Sequence, residues 1–134
     1  MEEETNIPQR VVVDASFVLS LLLPDEKRGG QAKKVLGLYQ EGKIEFFAPE
    51  LLKFEVVNGL RSAIKSHRLK TIQARKLLEV FLSLEIDYQS INFISTLALA
   101  LKHNLSIYDA SYLSLAKQLE IPLLTLDENL TQFQ

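Results

Sequence analysis

Short apolar runs alternate along this chain with longer stretches of helical period. Residues 10–14 carry the β-branched run Val11-Val12-Val13 and predict a buried strand. Residues 15–23 stay apolar through Phe17, Val18, Leu19 and Leu21-Leu22-Leu23 and stop at Pro24, which predicts a short buried helix. A charged stretch with Gly29-Gly30 reads as a loop. Ala32, Val35, Leu36 and Tyr39 then fall at helical spacing until Gly42. Residues 44–48 predict a second strand. Pro49 is placed as the opener of a helix running to about Ser66, because the N–H that proline lacks would be unpaired there anyway. Residues 71–84 have the pattern of an amphipathic helix, with Ile72, Leu77, Leu78, Phe81 and Leu82 on one side. Residues 86–88 predict a short strand, 106–119 a further helix and 123–126 a last strand. Residues 92–102 are helical but apolar almost all round, a pattern that implies deep burial or packing against another chain. Residues 1–9 are polar and read as a frayed lead-in.

Strands that alternate with helices, with no hairpin signal such as Asn-Gly between two strand runs, predict an α/β fold with a central parallel sheet and helices on both faces. At 134 residues the chain is expected to be one domain, 1–134, long enough to bury a core. Hydrophobic residues at 47% and charged residues at 24% are ordinary for a soluble globular protein. The absence of cysteine excludes disulfides, thiolate zinc sites and Cys nucleophiles, and fits a cytoplasmic protein. Met1-Glu2-Glu3-Glu4 is acidic where a secretory signal is basic. No apolar run reaches the roughly 20 residues of a membrane span. The formal net charge of −2 argues against broad nonspecific nucleic-acid binding, although divalent ions bound to acidic residues would reverse that balance.

Four acids change the picture: Asp14, Glu55, Asp109 and Asp127. Asp14 and Asp127 follow apolar strand runs, and ligands of open α/β sheets bind outside the carboxyl ends of the strands. Singly, each acid has an ordinary explanation. Asp14 is a good helix N-cap, Ser106 to Asp109 has capping-box spacing, Glu55 can be a solvated helix residue, and Asp127 a turn residue. Together they suggest a site assembled by folding. Glu55 sits among Leu51, Leu52, Phe54, Val56 and Val57, and at about 100° per residue Asn58, Gly59 and Ser62 lie within about 60° of it. Two carboxylates about 4 Å apart repel by about 4 kcal/mol at an effective dielectric of about 20, so such a cluster favours a compensating ion. Hard cations such as Mg²⁺ and Mn²⁺ prefer oxygen ligands, and they assist phosphodiester displacement by activating water and neutralising charge.

The segments Val11-Val12-Val13-Asp14-Ala15-Ser16, Pro49-Glu50-Leu51-Leu52-Lys53-Phe54-Glu55-Val56-Val57-Asn58-Gly59-Leu60, Leu105-Ser106-Ile107-Tyr108-Asp109-Ala110-Ser111-Tyr112-Leu113-Ser114-Leu115-Ala116 and Ile121-Pro122-Leu123-Leu124-Thr125-Leu126-Asp127 resemble the PIN-domain family, above all the VapC-type toxins of toxin–antitoxin pairs. The resemblance spans nearly the whole chain in order and spacing. It implies a three-layer α/β/α fold, a Mg²⁺- or Mn²⁺-dependent endoribonuclease, a cognate antitoxin and a homodimer. It also implies that Asp14, Glu55, Asp109 and Asp127 are the catalytic, metal-holding quartet. Ser16, Asn58 and Thr125 match polar positions that orient the carboxylates or waters. Some relatives carry a further acid beyond the last one, where this chain has Glu128 and Asn129.

Other constellations add less. His67 and His103 have no ligand partner nearby in sequence and read as surface. The phosphate-loop motif Gly-x-x-x-x-Gly-Lys-Ser/Thr, Gly-x-Gly-x-x-Gly and Gly-x-Ser-x-Gly are absent, since Ile44 follows Gly42-Lys43. Arg61, Lys65 and Arg68 at i, i+4 and i+7 form either a solvated face or a phosphate-contacting rim for RNA. With no Trp, four Tyr and seven Phe, several in core-like runs, the composition does not indicate base stacking. A response-regulator-like domain would carry adjacent acids early and a lysine after a late strand, and neither is present. The remaining alternatives keep the PIN-like fold, as an RNA-processing factor or a non-catalytic binding module.

Overall fold

The computed structural model describes residues 9–24 and 30–134. Residues 1–8, most of the expected lead-in, and residues 25–29, in the expected charged loop, lie outside the described residues. The chain runs β1 (Arg10–Val13), α1 (Ala15–Leu22), α2 (Gly30–Gln40), β2 (Glu45–Pro49), α3 (Leu51–Lys65), α4 (Thr71–Ser83), β3 (Ile86–Gln89), α5 (Phe93–His103), α6 (Ile107–Leu119) and β4 (Leu123–Leu124), then a 3₁₀ turn at Thr131–Phe133. The four strands form one sheet in the order β3-β2-β1-β4. Every pairing is parallel, with Val12 beside Phe47 on one side and Leu123 on the other. All strands therefore end at one edge, and the helices cover the sheet in the expected α/β/α arrangement.

Burial on both faces explains the composition of the central strands. Val11, Val12 and Val13 are fully buried, flanked by Phe46, Phe47, Ala48, Leu123 and Leu124. A parallel sheet covered on both faces needs such continuous apolar runs rather than alternation. Helix α3 buries a stripe at Leu52, Val56, Leu60 and Ala63, spaced four, four and three residues apart. Gly59 lets α1 approach α3 closely, because a Cβ there would come within 2.5 Å of a Leu19 methyl. Among the described residues no helix is long and apolar enough to cross a membrane.

Three features depart from the sequence reading, and a fourth narrows it. Pro49 closes β2, where its ring satisfies the strand conformation, and α3 starts at Leu51. Arg68 lies beyond α3, which stops at Lys65 because His67 adopts φ 63° and turns the chain; only Arg61 and Lys65 remain on the helix. β4 is two residues long, since the Thr125 N–H turns to the Gln134 side chain (2.8 Å) and the Leu126 N–H to Ser16 Oγ (2.9 Å). Finally, α5 is not deeply buried. It buries Thr96 and Ala100, joined to α6 by a Thr96–Ser114 hydroxyl contact of 2.8 Å, and exposes Phe93, Ile94, Leu97 and Leu101.

Candidate active site

At the carboxyl edge of the sheet lies a cleft of about 440 Å³ whose walls include Asp14, Glu55, Asp109 and Asp127, with Ser16, Asn58 and Tyr112 among them. The four acids arrive from four places. Asp14 follows β1, Glu55 is on α3, Asp109 is in the first turn of α6, and Asp127 is in the loop after β4. Three of these positions also use the local roles anticipated for them. Asp14 caps α1 by accepting from the Phe17 N–H (3.0 Å). Ser106 caps α6 by accepting from the Asp109 N–H (3.0 Å). Asp127 closes a turn by accepting from the Asn129 N–H (2.9 Å). Capping fixes each backbone and leaves carboxylate lone pairs over for the cleft.

Asp14 is the most firmly held. Ser16 Oγ donates to its Oδ1 (2.7 Å) and Thr125 Oγ1 donates to its Oδ2. Both hydroxyls in turn accept backbone N–H groups from the last loop, Leu126 to Ser16 (2.9 Å) and Asp127 to Thr125 (3.0 Å). Two hydroxyls thus stitch the Asp127 loop to the end of β1. Asn58 and Glu55 line the same cleft from α3. Arg61 and Lys65 are exposed further along that helix, while His67 is exposed at its end and His103 packs edge-on to Phe133.

Tyr112 was not anticipated. It is buried, three residues after Asp109 on α6, and its hydroxyl donates to Glu55 Oε1 (2.6 Å). The i, i+3 spacing that places both residues on one helix face was present in the sequence.

Electrostatically the cleft is short of positive charge. Burial pushes the Asp14 carboxyl above its ordinary value despite its hydrogen bonds, and the nearby Asp127 adds to the rise. Glu55 is raised by burial and by the three aspartates, against the lowering effect of Tyr112. Asp109 is raised by burial, Asp127 and Asp14. Burial and the Glu55 carboxylate lift the Tyr112 phenol well above its usual range, so it stays a donor. The ion pairs between described residues, Lys43–Glu41 and Lys53–Glu50, involve none of the four acids.

An all-oxygen, anionic donor set held with uncompensated charge suits a hard divalent cation. Among the described residues no three His, Asp or Glu side chains are already gathered as a ready ligand set.

The sequence matches the family model of the PIN domain over residues 11–134. It is 33% identical to ribonuclease VapC3 of Pyrobaculum aerophilum over 127 residues, covering 92% of this chain and 93% of that one. It is 37% identical to ribonuclease VapC1 of Mycobacterium tuberculosis over 121 residues, covering 89% and 86%. Among solved structures, PAE2754 of P. aerophilum superposes with a TM-score of 0.74 at 21% identity, covering 93% of this chain and 84% of that one. The sarcin–ricin-loop-cleaving toxin VapC20 of M. tuberculosis superposes with a TM-score of 0.67 at 17% identity, covering 91% and 93%.

Proposed function

Because the chain belongs to the PIN-domain family, we propose that it is a divalent-metal-dependent endoribonuclease, the toxin of a toxin–antitoxin pair. One observation in the fold supports this reading most. Acids from four separate elements meet in one cleft, and no cation of the described residues neutralises them. Asp14, Glu55, Asp109 and Asp127 would hold the ion, Mg²⁺ or Mn²⁺. When bound, it would supply positive charge to the scissile phosphodiester and make water a better nucleophile. Asp14 contributes the fixed oxygens, oriented by Ser16 and Thr125. Glu55 is aimed by Tyr112, and Asn58 offers the phosphate a neutral amide. Among the described residues no histidine lines the cleft, so proton removal falls to the carboxylates or to water.

Tyr112→Phe removes the donor to Glu55 while preserving the ring. It is expected to weaken apparent divalent-cation affinity by about 10-fold. The measure is the metal concentration giving half-maximal thermal stabilisation, and an unchanged midpoint would refute the orienting role.

RNA is the substrate, and Arg61 is the best placed cation to meet its backbone. It borders an apolar hollow, with Lys53 and Val57, that meets the acidic cleft at Phe54 and Asn58. Lys65 lies one turn beyond, and Arg68 remains a third candidate past the helix end. Replacing both Arg61 and Lys65 with alanine is expected to flatten the slope of log affinity against log salt by about 1.4, at about 0.7 per single-strand phosphate contact. An unchanged slope, measured by RNA binding in chelator at several salt concentrations, assigns these residues to the solvated surface.

A cognate antitoxin, a cytoplasmic setting and a homodimer complete the reading. The exposed Phe93, Ile94, Leu97 and Leu101 face of α5 is our assignment for contact with a second copy. The primary test is incubation of purified, partner-free protein with whole cellular RNA, with and without Mg²⁺ or Mn²⁺. Metal-dependent cleavage supports the enzyme. A folded protein that cuts nothing with either metal is a binding module instead.

A further inference from the structure

Two aromatic rings stand open at the rim of the acidic cleft. Phe54, beside Glu55 on α3, is 75% exposed, and Tyr108, beside Asp109 on α6, is 58% exposed. Both belong to the cleft walls. Neither is part of the core, since α3 buries Leu52, Val56, Leu60 and Ala63, and α6 buries the residues from Ala110 to Ala116. The ring pairs among the described residues are Phe17–Phe46, Tyr39–Phe46 and His103–Phe133, and the rings under cations are Phe47 and Tyr88. The faces of Phe54 and Tyr108 are therefore not taken up within the described fold. Helix stability gives no reason for them either, because alanine is a better helix former than phenylalanine or tyrosine at an exposed position.

Resting on the endoribonuclease reading, we propose that Phe54 and Tyr108 are the two rings on which the nucleobases flanking the scissile phosphodiester stack. A base in a duplex already has both faces covered by its neighbours, whereas an unpaired base can lay one face on an aromatic ring. The rings come from the two helices that also carry Glu55 and Asp109. A nucleotide stacked on either one lies in the cleft that the carboxylates line. From Phe54 the surface continues into the hollow bordered by Arg61, which gives the next phosphate a positive partner and the strand a path out of the cleft. Stacking accepts any base, so these rings leave sequence preference to other contacts.

The test starts from whole cellular RNA cut by the wild-type protein with Mn²⁺, with the cut sites mapped. An oligonucleotide copied from the strongest site is then made with 2-aminopurine beside the scissile bond. Phe54→Ala and Tyr108→Ala are each expected to raise KM about 10-fold or more with a smaller change in kcat. Phe54→Tyr and Tyr108→Phe, which keep a ring, should stay near wild type. Binding of the oligonucleotide in chelator should quench 2-aminopurine with the wild type and less with either alanine variant. Cuts falling equally in paired and unpaired segments, or alanine variants with wild-type KM and quenching, overturn the stacking proposal while leaving the nuclease standing. No cleavage by the wild type overturns both.

Discussion

Asp14→Asn is expected to lower metal-dependent RNA cleavage by about 10² to 10⁴-fold, corresponding to several kcal/mol of lost stabilisation of charge in the transition state. Asp14 is the one acid with both oxygens fixed, by Ser16, Thr125 and the Phe17 N–H. Asparagine has nearly the same shape and is an equally good N-cap, so the start of α1 survives the change. What is lost is the negative charge at the centre of the cleft. Because burial makes that charge costly to the folded state, the variant should melt no lower than the wild type in chelator. Initial cleavage rates and melting curves from one preparation make the comparison. A variant that cuts within a few-fold of wild type would show that Asp14 serves the fold alone.

The second large effect concerns stability. With a divalent cation at about a thousand times its dissociation constant, the folded protein should gain about 4 kcal/mol at neutral pH, a rise in Tm on the order of 10 °C for a domain of this size. In chelator the cleft should behave oppositely as pH rises. The folded-state carboxyls of Asp14, Glu55 and Asp109 hold protons above their ordinary values of 3.8, 4.5 and 3.8. Within the window from those values up to the raised ones, the unfolded chain has released protons that the folded chain keeps. Stability therefore falls as pH rises through the window, and the full penalty remains above it. Other groups also titrate, so the contribution is isolated by comparison with Glu55→Gln/Asp109→Asn. That variant should melt higher than the wild type at neutral pH in chelator, show a flatter pH dependence, and gain much less from metal. Equal melting of the two proteins under all conditions would mean that the acids neither repel one another nor hold an ion.

Much of this arrangement could be read from the chain because it depends on features with a fixed local signature. The valine run of β1 needs burial on both faces, the helix periods mark their buried stripes, and an acid at the end of a strand has one edge of the sheet to face. Tyr112 and the open rings were harder. Periodicity says which residues share a face but not what that face meets. Phe54 therefore looked like one more apolar neighbour of Glu55, although its ring ends in solvent, and nothing in the pattern says that the buried Tyr112 hydroxyl ends on a carboxylate. Pro49 was misplaced because a proline suits the end of a strand as well as the start of a helix. The apolar composition of α5 left two outcomes open, and the answer depends on the small residues Thr96 and Ala100, which make the close contact with α6 and leave the bulky ones outside.

The pairing of β1 with β4 brings Val12 beside Leu123 and Val13 beside Leu124, and the loop just beyond it is tied to Asp14 through Ser16 and Thr125. Contacts so distant along the chain carry the largest loop-closure cost and form late in folding. A growing polypeptide on the ribosome has its first acid long before its last, and the cleft has no fourth wall until β4 has emerged and docked.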